Sequence, residues 1–167
     1  MDFQKLIPDF SAIGRTNWAK PNLDTKNTMW LVMAGAALLM LIFVFLPWFT
    51  CAQGAIEASR LGITLWYGIF GLIFTLVTIY GVLYNQIQFV FCGAVLAAVM
   101  GLIGWLSFAD VTAVTPFGEV KTTAAEIERA LNAPFSRVSV SHTGAILFFF
   151  ASVASAVVSF LQIKNAK

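Results

Sequence analysis

Polar and apolar positions alternate along this chain in long blocks. Residues 27–56, 61–109 and 138–163 carry no Asp, Glu, Lys or Arg. The middle block is twice as long as one membrane crossing, and its one polar cluster is Tyr84-Asn85-Gln86-Ile87-Gln88. About 20 apolar residues of helix cross a hydrocarbon core of about 30 Å. The pattern therefore predicts an all-α integral membrane protein, an antiparallel four-helix transmembrane bundle. Its spans are Met29–Trp48, Leu65–Tyr84, Phe89–Phe108 and Thr143–Ile163, each placed to within about 3 residues. The short link at Tyr84–Gln88 makes the second and third spans antiparallel neighbours. Residues 1–27 form a cytoplasmic amphipathic segment with a linker, and 28–167 form the membrane domain.

Composition agrees. Hydrophobic residues make up 59% of the chain and charged ones 11%, against about 25% charged in soluble domains. The longest non-membrane segment, 109–141, is too short for a separate soluble domain. A net charge of +2 excludes nucleic acid as an expected partner. No continuous apolar h-region precedes residue 27, so the first span is expected to act as an uncleaved anchor.

Cations give the orientation. Six (Lys5, Arg15, Lys20, Lys26, Lys164 and Lys167) flank the two ends of the bundle that share the termini. Four (Arg60, Lys121, Arg129 and Arg137) lie in the opposite loops. This bias predicts cytoplasmic termini. Trp48, Trp66, Tyr67 and Trp105 fall at the outer boundary and Trp30, Tyr80 and Tyr84 at the inner one, as aromatic belts do. Pro47 is expected to end the first helix.

Helices in lipid associate by close packing, which small residues permit. The third span carries Gly93, Ala97 and Gly101 four residues apart, with Gly104 one turn further on, and the fourth carries Ala151, Ser155 and Ser159. These stripes either pack the chain on itself or receive another subunit. The Phe148-Phe149-Phe150 run covers most of its helix circumference, so part of it should face lipid or a partner.

Chemistry is sparse. No ionisable residue lies within a span, which disfavours ion-coupled transport and proton relays. The single His142 cannot supply a two-histidine haem site. It reads as a cap at the start of the last span, or as a pH sensor or a ligand completed by a partner. Cys51 and Cys92 fall on opposite sides of the bilayer, too far apart to pair. No catalytic, metal or cofactor motif is found, and no cofactor is expected.

Two segments outside the membrane are patterned. Phe3, Leu6, Ile7, Phe10 and Ile13 share a helical face beside Lys5 and Arg15, which suits a short helix in the inner headgroup layer, kinked at Pro8, or one docked on a partner. In the outer loop, Val111–Thr115 alternates, Pro116-Phe117-Gly118 makes a turn and Glu119–Lys121 returns. Thr123 and Glu126 form a capping box for a helix over 124–132. Arg137–Ser141 alternates again. A strand–helix–strand cap between helices 3 and 4 follows.

Four spans with a small first outer loop and a larger second one resemble the tetraspanin layout. Their Cys-Cys-Gly motif is absent, and Cys51 stands alone where claudins have paired cysteines, so no residue roles carry over. Lack of outer cross-links and sequons points to a bacterial inner membrane. The expected function is a non-catalytic structural, scaffold or assembly subunit, partnered by the bilayer and by other membrane subunits or itself. Its candidate interaction residues are Phe3, Leu6, Ile7 and Phe10 inside, Gly93, Ala97 and Gly101 in the membrane, and Glu126 and Arg129 outside. The alternative is a small channel or facilitator for neutral or lipidic solutes lined by Thr75, Thr78, Ser107, Ser152 and Ser155. A membrane enzyme acting on lipids or quinones would have to draw on Asp110, Arg137 and His142.

Overall fold

A computed structural model describes residues 6–15, 20–23, 26–53, 56–106, 110–115, 118–123 and 138–165. Its helices are α1 (Ser11–Arg15), α2 (Thr28–Val44), α3 (Trp66–Leu83), α4 (Ile87–Trp105) and α5 (Thr143–Asn165). Its strands are β1 (Pro47–Gln53), β2 (Ile56–Leu61), β3 (Asp110–Thr115), β4 (Gly118–Thr123) and β5 (Val138–Ser141). The protein is mainly helical, and α3, α4 and α5 are each long and apolar enough to cross a membrane. These three mark a multi-pass membrane protein. The fourth apolar helix, α2, has 17 residues and falls below the length of the others.

Helix α4 packs most extensively, against α3 on one side and α5 on the other, while α2 leans on α5 and touches α3 more sparsely. The α3–α4 link is tight for a reason visible in its backbone. Asn85 takes φ 55°, a left-handed conformation that Asn tolerates better than most residues. The Gln86 N–H then donates to Gly81 O at 2.7 Å and the Asn85 N–H to Val82 O at 3.4 Å, the paired bonds of a Schellman helix end. A Cβ on Gly81 would stand 2.6 Å from Val90 N, so glycine lets the second helix start beside the first.

The first span differs from its expected bounds. Helix α2 ends at Val44, not Trp48, and the chain becomes strand β1 at Pro47. Proline excludes the residue before it from helical geometry, and Pro47 as the first strand residue loses no ladder donor that matters. Nor is the protein all-α. Strand β1 is the centre of a three-stranded antiparallel sheet of order β2-β1-β5, in which Cys51 faces Ala58 on one side and Val140 on the other. The register slips between Pro47 and Phe49, and this bulge turns Trp48 out of the ladder's alternation. The alternating stretch expected at Arg137–Ser141 forms strand β5 over Val138–Ser141, but it pairs with β1 in the first interhelical loop. The cap is therefore built jointly from both loops. Strands β3 and β4 form the expected hairpin, with Thr115 opposite Gly118. The helix expected over 124–132 lies outside the described residues.

Candidate functional site

The end of the bundle away from the N-terminal segment, called outer after its expected orientation, is closed by aromatic rings. Trp48 and Phe148 are fully buried and Tyr67 nearly so. Trp48 stacks on Tyr67 with ring centres 5.7 Å apart and tilts against Phe148 at 4.9 Å. Its Nε1–H donates to Phe43 O at 2.9 Å, which satisfies the one polar group a buried indole carries. Glycines make room for this ring: a Cβ on Gly104 would sit 2.8 Å from Trp48 Cε3, and one on Gly144 would sit 2.9 Å from Trp48 Cδ1. Trp48 and Tyr67 were expected in an outer aromatic belt. They are core residues, while Trp66 and Trp105 are exposed.

The small-residue stripe of α4 is occupied within the chain. A Cβ on Gly93 would stand 2.6 Å from Thr78 Oγ1 and 2.9 Å from Phe74 O, and one on Gly101 would stand 3.0 Å from the Phe149 backbone. Ala97 is fully buried in the cluster of Met40, Tyr67, Phe148 and Ala151. Gly93 thus brings α4 against α3, and Gly101 brings it against α5. The Phe148–Phe150 run divides as its spacing requires: Phe148 inward, Phe149 against Gly101 and Trp105, and Phe150 exposed.

Hydroxyls inside the bundle bond to their own helices. Thr75 Oγ1 donates to Gly71 O, Thr78 Oγ1 to Phe74 O and Ser152 Oγ to Phe148 O, all within 2.9 Å. Ser159 Oγ donates to Ser155 O at 2.8 Å. Such bonds leave the helix exteriors apolar, so these groups make no continuous polar track. Ser155 Oγ is buried without a partner among the described residues. Ser107 lies outside them.

At the inner end the N-terminal segment lies against the α3–α4 pair. Pro8 and an Asp9 cap precede the helix that starts at Ser11. The Ser11 hydroxyl and N–H both donate to Asp9 Oδ1, and Arg15 reaches Asp9 Oδ2 at 2.9 Å. The Ser11 bonds first, and then the Arg15 charge, hold the Asp9 carboxyl below the usual carboxylate range. Phe10 meets Phe89 edge-on at 5.7 Å, and Leu6 O lies 3.5 Å from Cys92 Sγ. Ile7 and Phe10 nonetheless stay 62% and 68% exposed, an apolar surface turned outward. Phe3, Glu126 and Arg129 lie outside the described residues.

A polar contact joins α2 and α3 near the start of α2 and the end of α3. Trp30 Nε1–H donates to Val82 O at 2.9 Å. Beyond it the two helices part around an apolar groove of about 260 Å³ lined by Trp30, Ala34, Ala37, Leu38, Leu41, Ile79, Val82 and Leu83. Sequence periodicity gave no sign of this gap, because both walls read as ordinary span residues.

His142 precedes α5 directly and its carbonyl accepts the Ile146 N–H at 3.0 Å; its ring lies 5.7 Å from that of Phe49. This is the helix-start position expected of it. Among the described residues no three His, Cys, Asp or Glu side chains group as metal ligands would. No family model, curated protein or solved structure matches the chain.

Proposed function

We propose that the chain is a four-span, non-catalytic structural or assembly subunit of a membrane protein complex, formed with other subunits or with itself. In this reading α2 with Phe45–Pro47 serves as the fourth span, since 17 residues is the short end of what crosses a bilayer. The membrane is a bacterial inner membrane, and both termini are cytoplasmic by the cation bias.

One observation carries the reading: the interior is filled with aromatic rings and its hydroxyls bond to their own backbone. A solute path needs polar groups aimed at a lumen, and Thr75, Thr78 and Ser152 are aimed at carbonyls four residues back. The apolar N-terminal face with Ile7 and Phe10 supplies contact surface in place of chemistry. Gly93, Ala97 and Gly101, weighed for intersubunit contact, serve here to pack α4 inside the protomer.

Purification from native membranes in mild detergent, followed by mass spectrometry of the intact particle, tests the proposal. A homo-oligomer of defined size, or a partner at fixed stoichiometry, is the expected result. A lone monomer that carries out solute flux in vesicles overturns it.

A further inference from the structure

The groove between α2 and α3 lies at membrane depth, because α3 is one of the helices long and apolar enough to span. Its α2 wall carries Trp30, Ala34, Leu38 and Leu41, and its α3 wall carries Ile79 and Leu83. The one polar atom available there, the Trp30 indole N–H, is already bonded to Val82 O. The occupant must therefore be hydrocarbon.

Dimensions decide which hydrocarbon. The α2 wall runs about 16 Å from Trp30 to Leu41 and the α3 wall about 6 Å from Ile79 to Leu83, at 1.5 Å per residue. A volume of about 260 Å³ spread over those lengths leaves a cross-section of roughly 16 to 43 Å². An α-helix with side chains, at least 10 Å across, needs roughly 80 Å². A single extended hydrocarbon chain, with neighbours at about 4.5 Å, needs roughly 20 Å². Its α2 wall is about as long as one leaflet is thick, half of a core of about 30 Å. The groove takes an acyl chain and has at most about half the section a helix needs.

The inner mouth of the groove is flanked by cations from both walls. On the α3 side, the Asn22 N–H donates to Leu83 O at 2.8 Å, pinning the segment that carries Lys20. On the α2 side, Asn27 Oδ1 accepts the Met29 N–H, and Lys26 stands just before this cap. Both lysines are exposed, and the ion pair formed among the described residues joins Arg15 to Asp9 and uses neither. We propose that the α2–α3 groove is a lipid site, holding one acyl chain of an anionic phospholipid whose headgroup meets Lys20 and Lys26. This does not rest on the subunit reading, and either can fail alone.

Native mass spectrometry of the full chain, titrated in mild detergent with phosphatidylglycerol or with phosphatidylcholine of matched chains, tests it. One phosphatidylglycerol should be retained per chain, about five- to thirtyfold more strongly than phosphatidylcholine, the range expected of one to two interfacial lysines. Ala34→Phe, which fills the groove, should abolish the retained lipid, whereas Leu39→Phe on the exposed face of the same helix should not. The double variant Lys20→Gln, Lys26→Gln alters no packing and should bring phosphatidylglycerol down to the level of phosphatidylcholine. Equal retention of the two lipids by the unaltered chain overturns the proposal, as does a lipid that survives Ala34→Phe. A lipid-free dimer lost in Ala34→Phe also overturns it and assigns the groove to a second copy.

Discussion

The two ends of the helical bundle are built by opposite means. At the outer end Trp48, Tyr67 and Phe148 lock together, with Gly104 and Gly144 pressed against the Trp48 ring and the β2-β1-β5 sheet continuing from the same residues. At the inner end Trp30, Met33, Ala37, Val82 and Val90 form a smaller cluster, and α2 and α3 part around a groove. Both ends use a buried tryptophan whose indole bonds a helix carbonyl. What differs is the surroundings: Trp48 is fully enclosed, whereas Trp30, 7% exposed, lines an open apolar groove. Close packing is thus concentrated where the two loops meet the helices, and an apolar groove is left at the other end.

Removing the outer lock should have the largest effect. Trp48→Ala deletes a fully buried ring around which glycines and two other aromatics are shaped. Large-to-small changes of this kind cost about 3–5 kcal/mol. The expected outcome is a large fall in thermal denaturation temperature in detergent, with loss of the sheet as well as of helix packing. A fall of only a few degrees would mean that the outer end is no tighter than the inner one.

Weakening the inner contact should cost less. Trp30→Phe keeps one aromatic ring but gives up the pyrrole half of the indole together with the bond to Val82 O, a bond worth about 0.5–1.5 kcal/mol by itself. Because α2 touches α3 sparsely beyond this bond, the loss should appear mainly as faster hydrogen exchange in the first turns of α2, with the outer end unchanged. Equal loosening at both ends would erase the contrast between them.

The contrast itself was only partly legible in the pattern of residues. Charge-free blocks located all the apolar helices, because membrane spans are constrained one residue at a time by the absence of water. The hairpin at Tyr84–Gln88 was equally plain, since a run of polar residues inside 49 uncharged ones has to reach the surface. Strand β1 was not. Pro47-Trp48-Phe49-Thr50-Cys51 continues the hydrophobicity of α2, and hydropathy does not distinguish a helix end from a strand that is covered by its neighbours. The role of Trp48 followed the same failure: an interfacial and a buried tryptophan look alike until the facing glycines, at positions 104 and 144, are brought beside it. The α4 stripe was found by spacing, but spacing alone does not say whether the mating helix belongs to the same chain.

The smallest expected effect separates two serines on one face of α5. Ser152 Oγ donates to Phe148 O at 2.8 Å, and Ser155 Oγ is buried with no partner among the described residues. Both are fully buried, so truncation to alanine removes the same atom from similar surroundings. Ser152→Ala gives up a bond and should cost about 0.5–1 kcal/mol, near the average for hydroxyl bonds within membranes. Ser155→Ala removes a desolvated group that no bond repays, so it should be neutral or stabilising by up to about 1 kcal/mol. Unfolding of the two variants in the same detergent, measured side by side, reads the sign. Opposite signs mean that the inner half of α5 is packed by shape with its polar groups as passengers. A matching loss in both would instead mean that Ser155 turns to the Ala151 carbonyl or finds a buried water, making the inner half as well satisfied as the outer.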